Sequence, residues 1–143
     1  MAHPRSDHLR PWLPFIFAAT AYLILITKMD RLLRDSDTYW HIVVGQWIIE
    51  QRAVPHVDLF SFTMRGAPWI TSAWLSEVFY FAAFKLVGWP GPAMLAALSA
   101  SIAFFLLTHL LLKRLPNVPV MMLVSAGIAM TANHTLARPH VLI

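Results

Sequence analysis

Apolar residues dominate three stretches of the chain, 11–27, 92–112 and 118–133. A helix needs roughly 17 to 25 such residues, at about 1.5 Å rise each, to cross about 30 Å of hydrocarbon. Each stretch is therefore expected to span a membrane. Pro11 and Pro14 fall in the first turn of the first span, where a missing N–H costs little. That span follows Arg5 and Arg10 but runs on into Lys28, Met29 and Asp30 with no small-residue cleavage site, so it reads as an uncleaved helix and not as a signal peptide. In the second span Ala93, Ala97 and Ser101 recur every four residues, with Ala96 and Ala100 beside them. Such a face lets another helix approach closely, and the span is expected to pack against protein as well as lipid.

The pattern changes between residues 28 and 91. Those 64 residues are too long for a turn and too apolar for a free linker, and they are expected to lie along the membrane surface. Trp40, Val43, Val44, Trp47 and Ile48 recur at three and four and predict one helix over 38–51, with Asp35, Ser36 and Asp37 ahead of it as candidate N-caps. Pro55, Gly66 and Pro68 break the chain into a loop. A second helix is predicted over 73–87, with Ser72 as candidate cap, Glu77 near its positive end, and Trp74, Val78, Phe81 and Phe84 or Lys85 along its length. Trp89, Pro90, Gly91 and Pro92 then turn the chain into the second span. The expected fold class is an all-α membrane protein, with about three transmembrane helices plus two interfacial helices in a long outer loop.

Composition agrees with that pattern. With 58% hydrophobic residues against 13% charged, and a mean hydropathy of +0.60, the chain does not read as a water-soluble globule, a coiled coil or a disordered segment. A net charge of +4 invites a nucleic-acid partner, but the 11 Lys and Arg are scattered and never form a run longer than Lys113-Arg114. No nucleic acid is expected; the lipid headgroup layer is. With no cysteine there is no disulfide framework, zinc-thiolate site or thiol nucleophile.

The positive-inside rule puts the basic turn 113–117 in the cytoplasm, and with it the amino terminus, residues 1–10. Residues 28–91 and 134–143 then lie on the outer face. Lys28, Arg31 and Arg34, close to the first span, argue the other way; the six acidic residues of 28–91 match its six basic ones, but acidic residues count for little in the rule. At the end of the chain, Val141-Leu142-Ile143 reads as the opening of another apolar run, so the sequence is expected to be truncated from a longer protein.

Candidate chemistry concentrates in Asp35-Ser36-Asp37-Thr38-Tyr39-Trp40-His41. Asp37 and His41 are four apart, which puts them on one helical face with Cβ atoms about 6 Å apart. Asp35, Asp37 and His41 can hold a divalent metal, Mg or Mn, against phosphate oxygens, or one carboxylate can act as general base with the other fixing it. Equally, Asp37 can simply cap the helix while Asp35 offsets Arg31 or Arg34. A second group, Arg65, Trp69, Trp74 and Glu77, can orient a sugar-bearing substrate with indole faces on its ring; interfacial anchoring by Trp explains the same residues more plainly. Asn133, His134, Arg138 and His140 surround the outer end of the third span and suggest either a cavity facing an anionic phosphate or an ordinary helix end. His109 reads as structural.

The order of these features carries a resemblance. A basic amino terminus and one span precede an acidic pair with an aromatic and His41; then come Asp58-Leu59-Phe60-Ser61-Phe62-Thr63, Gly66 to Trp69, Trp74-Leu75-Ser76-Glu77, and Gly88 before the second span. In that order the chain resembles the amino-terminal part of GT-C class polytopic glycosyltransferases, the group that includes dolichyl-phosphate-mannose protein mannosyltransferases and bacterial aminoarabinose transferases. The resemblance runs from about residue 13 to 139. It implies a sugar carried on a polyprenyl phosphate and moved to an acceptor at the outer face of a bacterial inner membrane. It also implies that an acidic residue of the first outer loop, Asp37 first and Asp35 second, is the catalytic base or a metal ligand. The two surface helices would correspond to the juxtamembrane helices that roof the active-site cavity. Arg65, Trp69, Trp74, Glu77, Arg138 and His140 are the expected substrate contacts, and the chain without later spans is expected to be inactive alone.

Two other readings stand beside it. A small non-catalytic subunit would pack into a larger membrane complex through the small-residue second span and the Trp-rich outer helices. A transporter fragment would need ionisable groups within the spans, where His109 is the clear one.

Overall fold

A computed structural model describes residues 8–131. Among them the chain is helical, with no strand beyond one isolated bridge between Val57 and Pro68. A 3-10 turn, Arg10–Trp12, leads into α1, Leu13–Ile26; a short α2, Met29–Leu32, follows. Then come α3, Asp37–Gln51, and α4, Trp74–Val87, before the hairpin of α5, Pro90–Leu112, and α6, Asn117–Thr131. The expected helices thus form within a residue or two of their expected ends. Prolines open both long apolar helices: Pro14 in the first turn of α1, and Pro90 and Pro92 in that of α5.

Among the described residues only α5 is both long and apolar enough to cross a membrane; its 23 residues make about 35 Å. The helical run Arg10–Ile26 and the described part of α6 are shorter apolar helices. The end of the expected third span, residues 132–133, and the expected outer segment 134–143 lie outside the described residues, as do residues 1–7.

α1 lies antiparallel on α5. At one end Leu13, Phe17 and Ala21 pack with Leu112 and with Val120, Val124 and Ile128 of α6. At the other, Leu25 meets Ala93, Ala96, Ala97 and Ala100, together with Leu32, Ile42 of α3 and Tyr80 of α4. The small-residue face of α5 is therefore buried within this chain, as its spacing predicts. Polar groups inside these helices satisfy themselves locally. Ser99, Ser101 and Thr108 each donate to the carbonyl four residues earlier.

α3 and α4 pack on each other and close the α2 end of this pair. The expected stripe of α3 is buried or half-buried along its length, and in α4 Val78, Phe81 and Phe84 are half-buried while Trp74 is exposed. In α4 the sequestered residues are Ser76, Glu77 and Tyr80, while Trp74, Leu75, Phe79 and Leu86 point outward. Small groups permit a close helix contact, and the face of α4 turned to α3 carries Ser76 and Glu77. Gly45 makes the contact possible: a Cβ there would lie 2.0 Å from the Glu77 carbonyl oxygen. Gly91 does the same for α4 on α5, where a Cβ would lie 2.1 Å from the Ala83 carbonyl oxygen. The expected caps differ. Ser36 and Ala73 occupy the N-cap positions of α3 and α4 without side-chain cap bonds, so Ser72 is not a cap.

At the far end the Arg10 guanidinium ties the amino-terminal turn to the α5–α6 turn. It donates to Asn117 Oδ1 at 3.2 Å and to the carbonyls of Leu112 and Leu115. The amino-terminal entry to α1 and the basic turn 113–117 are thus on the same side of the bundle, with α3 and α4 on the other.

Candidate functional site

The contact enforced by Gly45 determines what its neighbour can reach. His41 lies one helical turn before Gly45 on the same face of α3, and with the two backbones this close its ring spans the gap to α4. His41 Nδ1 lies 3.0 Å from Glu77 Oε1. The second oxygen of the same carboxylate, Oε2, accepts from the Thr71 hydroxyl at 2.9 Å. Glu77 is 1% exposed and Thr71 5%, whereas the His41 side chain keeps 22% of its surface. A buried carboxylate is costly unless each oxygen has a donor, and here each has one.

The arrangement is directional. A carboxylate accepts only, so the contact at Nδ1 places the ring proton there in the neutral imidazole and leaves the lone pair on Nε2. The imidazole is thereby oriented by one partner and free to accept a proton or a ligand with its other nitrogen. That is the geometry of an oriented general base or of a single metal ligand with its supporting carboxylate.

A loop, residues 52–73, packs over the outer side of α3. Its two limbs are joined by backbone bonds from Asp58 N–H to the Ala67 carbonyl, 2.9 Å, and from Trp69 N–H to the His56 carbonyl, 3.0 Å. Asp58 Oδ1 accepts from the amides of Phe60 and Ser61 at 2.9 and 2.8 Å and shapes the first bend. The Ser61 hydroxyl, then the Ser61 and Phe60 amides, hold the Asp58 carboxyl below its ordinary range. Phe60 and Trp69 from the loop pack edge-on around Trp40, with ring centroids 5.4 and 6.2 Å away, and Phe60 also reaches Trp47 at 6.5 Å. Thr71 follows directly, so this aromatic seam delivers the hydroxyl to Glu77.

The expected site residues divide accordingly. His41 and Glu77 come together, although they were assigned to different groups. Asp35 and Asp37 stand at the start of α3, where Asp35 Oδ1 accepts from the Asp37 amide at 3.1 Å. Among the described residues no three His, Asp or Glu side chains are gathered to hold a metal ion. Of the expected Mg or Mn ligands, Asp35 and Asp37 stand at the start of α3, and the His41 ring is turned toward Glu77 of α4. Trp69 is part of the aromatic seam, Trp74 is 43% exposed in the first turn of α4, and Arg65 is exposed at the loop tip beside Gly66. Arg138 and His140 lie outside the described residues. Sequence reasoning missed Thr71 and Gly45. The glycine had a signal of its own, since Gly inside an otherwise β-branched and aromatic helix costs about 1 kcal/mol and implies a packing reason.

Comparison with protein-family models, with curated proteins and with solved structures finds no match to this chain.

Proposed function

We propose that this chain is an integral membrane protein that takes part in glycosyl transfer from a polyprenyl-phosphate-linked sugar to an acceptor at the outer membrane face. Three transmembrane helices, α1, α5 and α6, carry it, with α3 and α4 as interfacial helices above them. Apolar outward faces support the membrane part of this reading: Phe15, Ile16 and Leu23 on α1, Leu98, Ile102 and Leu106 on α5, and Met121, Met122 and Leu123 on α6 are all exposed. The joining of Arg10 to the turn that carries Lys113 and Arg114 supports an orientation with both basic ends in the cytoplasm. The amino terminus is then cytoplasmic and the α3–α4 layer external.

The observation that carries the catalytic part is the buried Glu77 carboxylate, bonded to Thr71 and His41 within a turn of the acidic start of α3. In the proposed reaction an acceptor hydroxyl or amine attacks the anomeric carbon while the bond to the carrier phosphate breaks and its electrons leave with the phosphate. Asp37 is the first choice to take the acceptor proton and Asp35 the second. His41 lies four residues from Asp37 on the same helical face, with Nε2 available to the same substrate. Arg65 and Trp74 are exposed and can contact the sugar-phosphate.

The subunit reading is weaker. The alanine face of α5 through which it would dock is covered by α1 and α4 of the same chain.

Asp37→Asn and Asp35→Asn, made in the protein expressed from its own gene, are expected to abolish transfer of labelled polyprenyl-linked sugar to membrane acceptors. Both variants should stay in the membrane after alkaline extraction. Undiminished product from both removes the carboxylates from the mechanism, and release of the wild-type protein by alkali removes the membrane reading.

A further inference from the structure

At the end of the bundle opposite His41 and Glu77 lies a pocket of about 350 Å³ lined by Arg10, Pro11, Pro14, His109, Leu112 and Lys113. Its walls are apolar and its charges are all of one sign. Between residues 8 and 29, and again from 78 to 131, the chain has no Asp or Glu. No carboxylate from α1, α5 or α6 can therefore neutralise Arg10 or Lys113.

Among the described residues Arg10 is held by neutral oxygens. Three of its N–H···O contacts, to Asn117 Oδ1 and the Leu112 and Leu115 carbonyls, secure the guanidinium against the end of α5. A guanidinium has five N–H donors in a planar fork, so donors remain for a further acceptor. Lys113 is exposed at the rim. The His109 ring stacks on Phe105, with centroids 6.3 Å apart and planes 3° from parallel, which holds the imidazole edge at the pocket. A cation pre-positioned by the end of α5, a second on the rim and an imidazole between them form a cradle for one anion with several acceptor oxygens.

We infer that this pocket binds a phosphate group. A phospholipid headgroup and soluble phosphate share that chemistry. The apolar lining and the neighbouring exposed Trp12, Phe15 and Leu110 favour the headgroup of an anionic lipid, whose acyl chains would run along α1 and α5. The lipid source rests on the membrane reading above; the phosphate site does not.

The test uses the purified detergent-solubilised protein, with dioctanoyl phosphatidylglycerol, dioctanoyl phosphatidylcholine and inorganic phosphate as separate probes, followed by the rise in denaturation midpoint. Phosphatidylglycerol is expected to bind saturably and several-fold more tightly than phosphatidylcholine. Lys113→Gln, at an exposed position, should weaken it about fivefold, and Lys113→Gln with His109→Gln should weaken it further. Saturable binding of inorganic phosphate that Lys113→Gln weakens to the same degree supports the site and assigns it to a soluble anion. Equal affinities for all three probes, or no effect of either variant, overturns it. A wild-type protein that proves soluble without detergent would sink the membrane reading, while the phosphate arm would still decide the pocket.

Discussion

At one end of the α1–α5 pair a cation, Arg10, is held by the oxygens of Asn117, Leu112 and Leu115; at the other a carboxylate, Glu77, is held by the Thr71 hydroxyl and the His41 ring. The two solutions differ because the available partners differ. Carbonyls at a helix C-terminus carry the negative end of the helix dipole, so Arg10 needs no acidic partner, and that end of the molecule keeps its positive charge. Glu77 sits in the first turn of α4, inside the contact with α3, and the partners its two oxygens take there are side chains from outside α4, His41 and Thr71. The first arrangement fastens a turn. The second orients an imidazole, because one of the donors around the carboxylate is itself a base with a second nitrogen.

The largest effect should come from removing the space that the Glu77 end depends on. Gly45→Ala puts a Cβ 2.0 Å from a backbone oxygen that cannot move independently, so α3 and α4 must separate and His41 must lose Glu77. A loss of about 3 kcal/mol is expected in denaturation of the purified protein. Gly127→Ala is the control, since its Cβ would meet Phe104 Cε1 at an ordinary 3.4 Å. Equal melting of the two variants would mean that the α3–α4 contact is not close.

A smaller effect separates the two ends directly. Glu77→Ala leaves the Thr71 hydroxyl and His41 Nδ1 without their acceptor and should cost about 1–3 kcal/mol. Arg10→Ala removes donors from carbonyls that other N–H groups or water at a helix end can satisfy, and it should cost about 1 kcal/mol. Greater destabilisation by Arg10→Ala in the same denaturation assay would reverse the comparison.

The smallest effect lies in the loop above the His41–Glu77 end. Asp58 has its folded pKa depressed by Ser61 and the Phe60 amide, so its contribution is present above the ordinary carboxylate value, about 3.9, and is lost as the pH falls through the lower folded value. Acidification below about pH 4 should therefore loosen the seam around Trp40 and Trp69 and shift tryptophan emission to the red. Asp58→Asn should flatten that acid transition; an unchanged transition would show that another group controls the loop.

Much of the fold could be read from the residues in order. Apolar runs bounded by Pro11, Pro14, Pro90, Pro92 and Pro116 mark the helices α1, α5 and α6, and the alanine spacing of α5 announces a buried face that the structure does bury. On α4 the periodic apolar residues Val78, Phe81 and Phe84 are half-buried as their spacing predicts, whereas the fully sequestered Ser76, Glu77 and Tyr80 carry no apolar stripe that could announce them. Of the candidate site, Asp35, Asp37, His41 and Glu77 were all visible as residue types. Their partnership was not, since His41 and Glu77 are 36 positions apart and local spacing speaks only within a helical turn or two.

By itself the sequence determined which segments are helices and where charge is excluded, since hydrophobic runs, prolines and the distribution of Asp, Glu, Lys and Arg act locally along the chain. Only the tertiary structure decided that Gly45 admits α4 to within backbone contact, that Glu77 faces His41 and Thr71, and that Arg10 holds the α5–α6 turn. Each of these depends on the approach of elements distant in sequence, and such approach is set by which side chains are small enough to permit it.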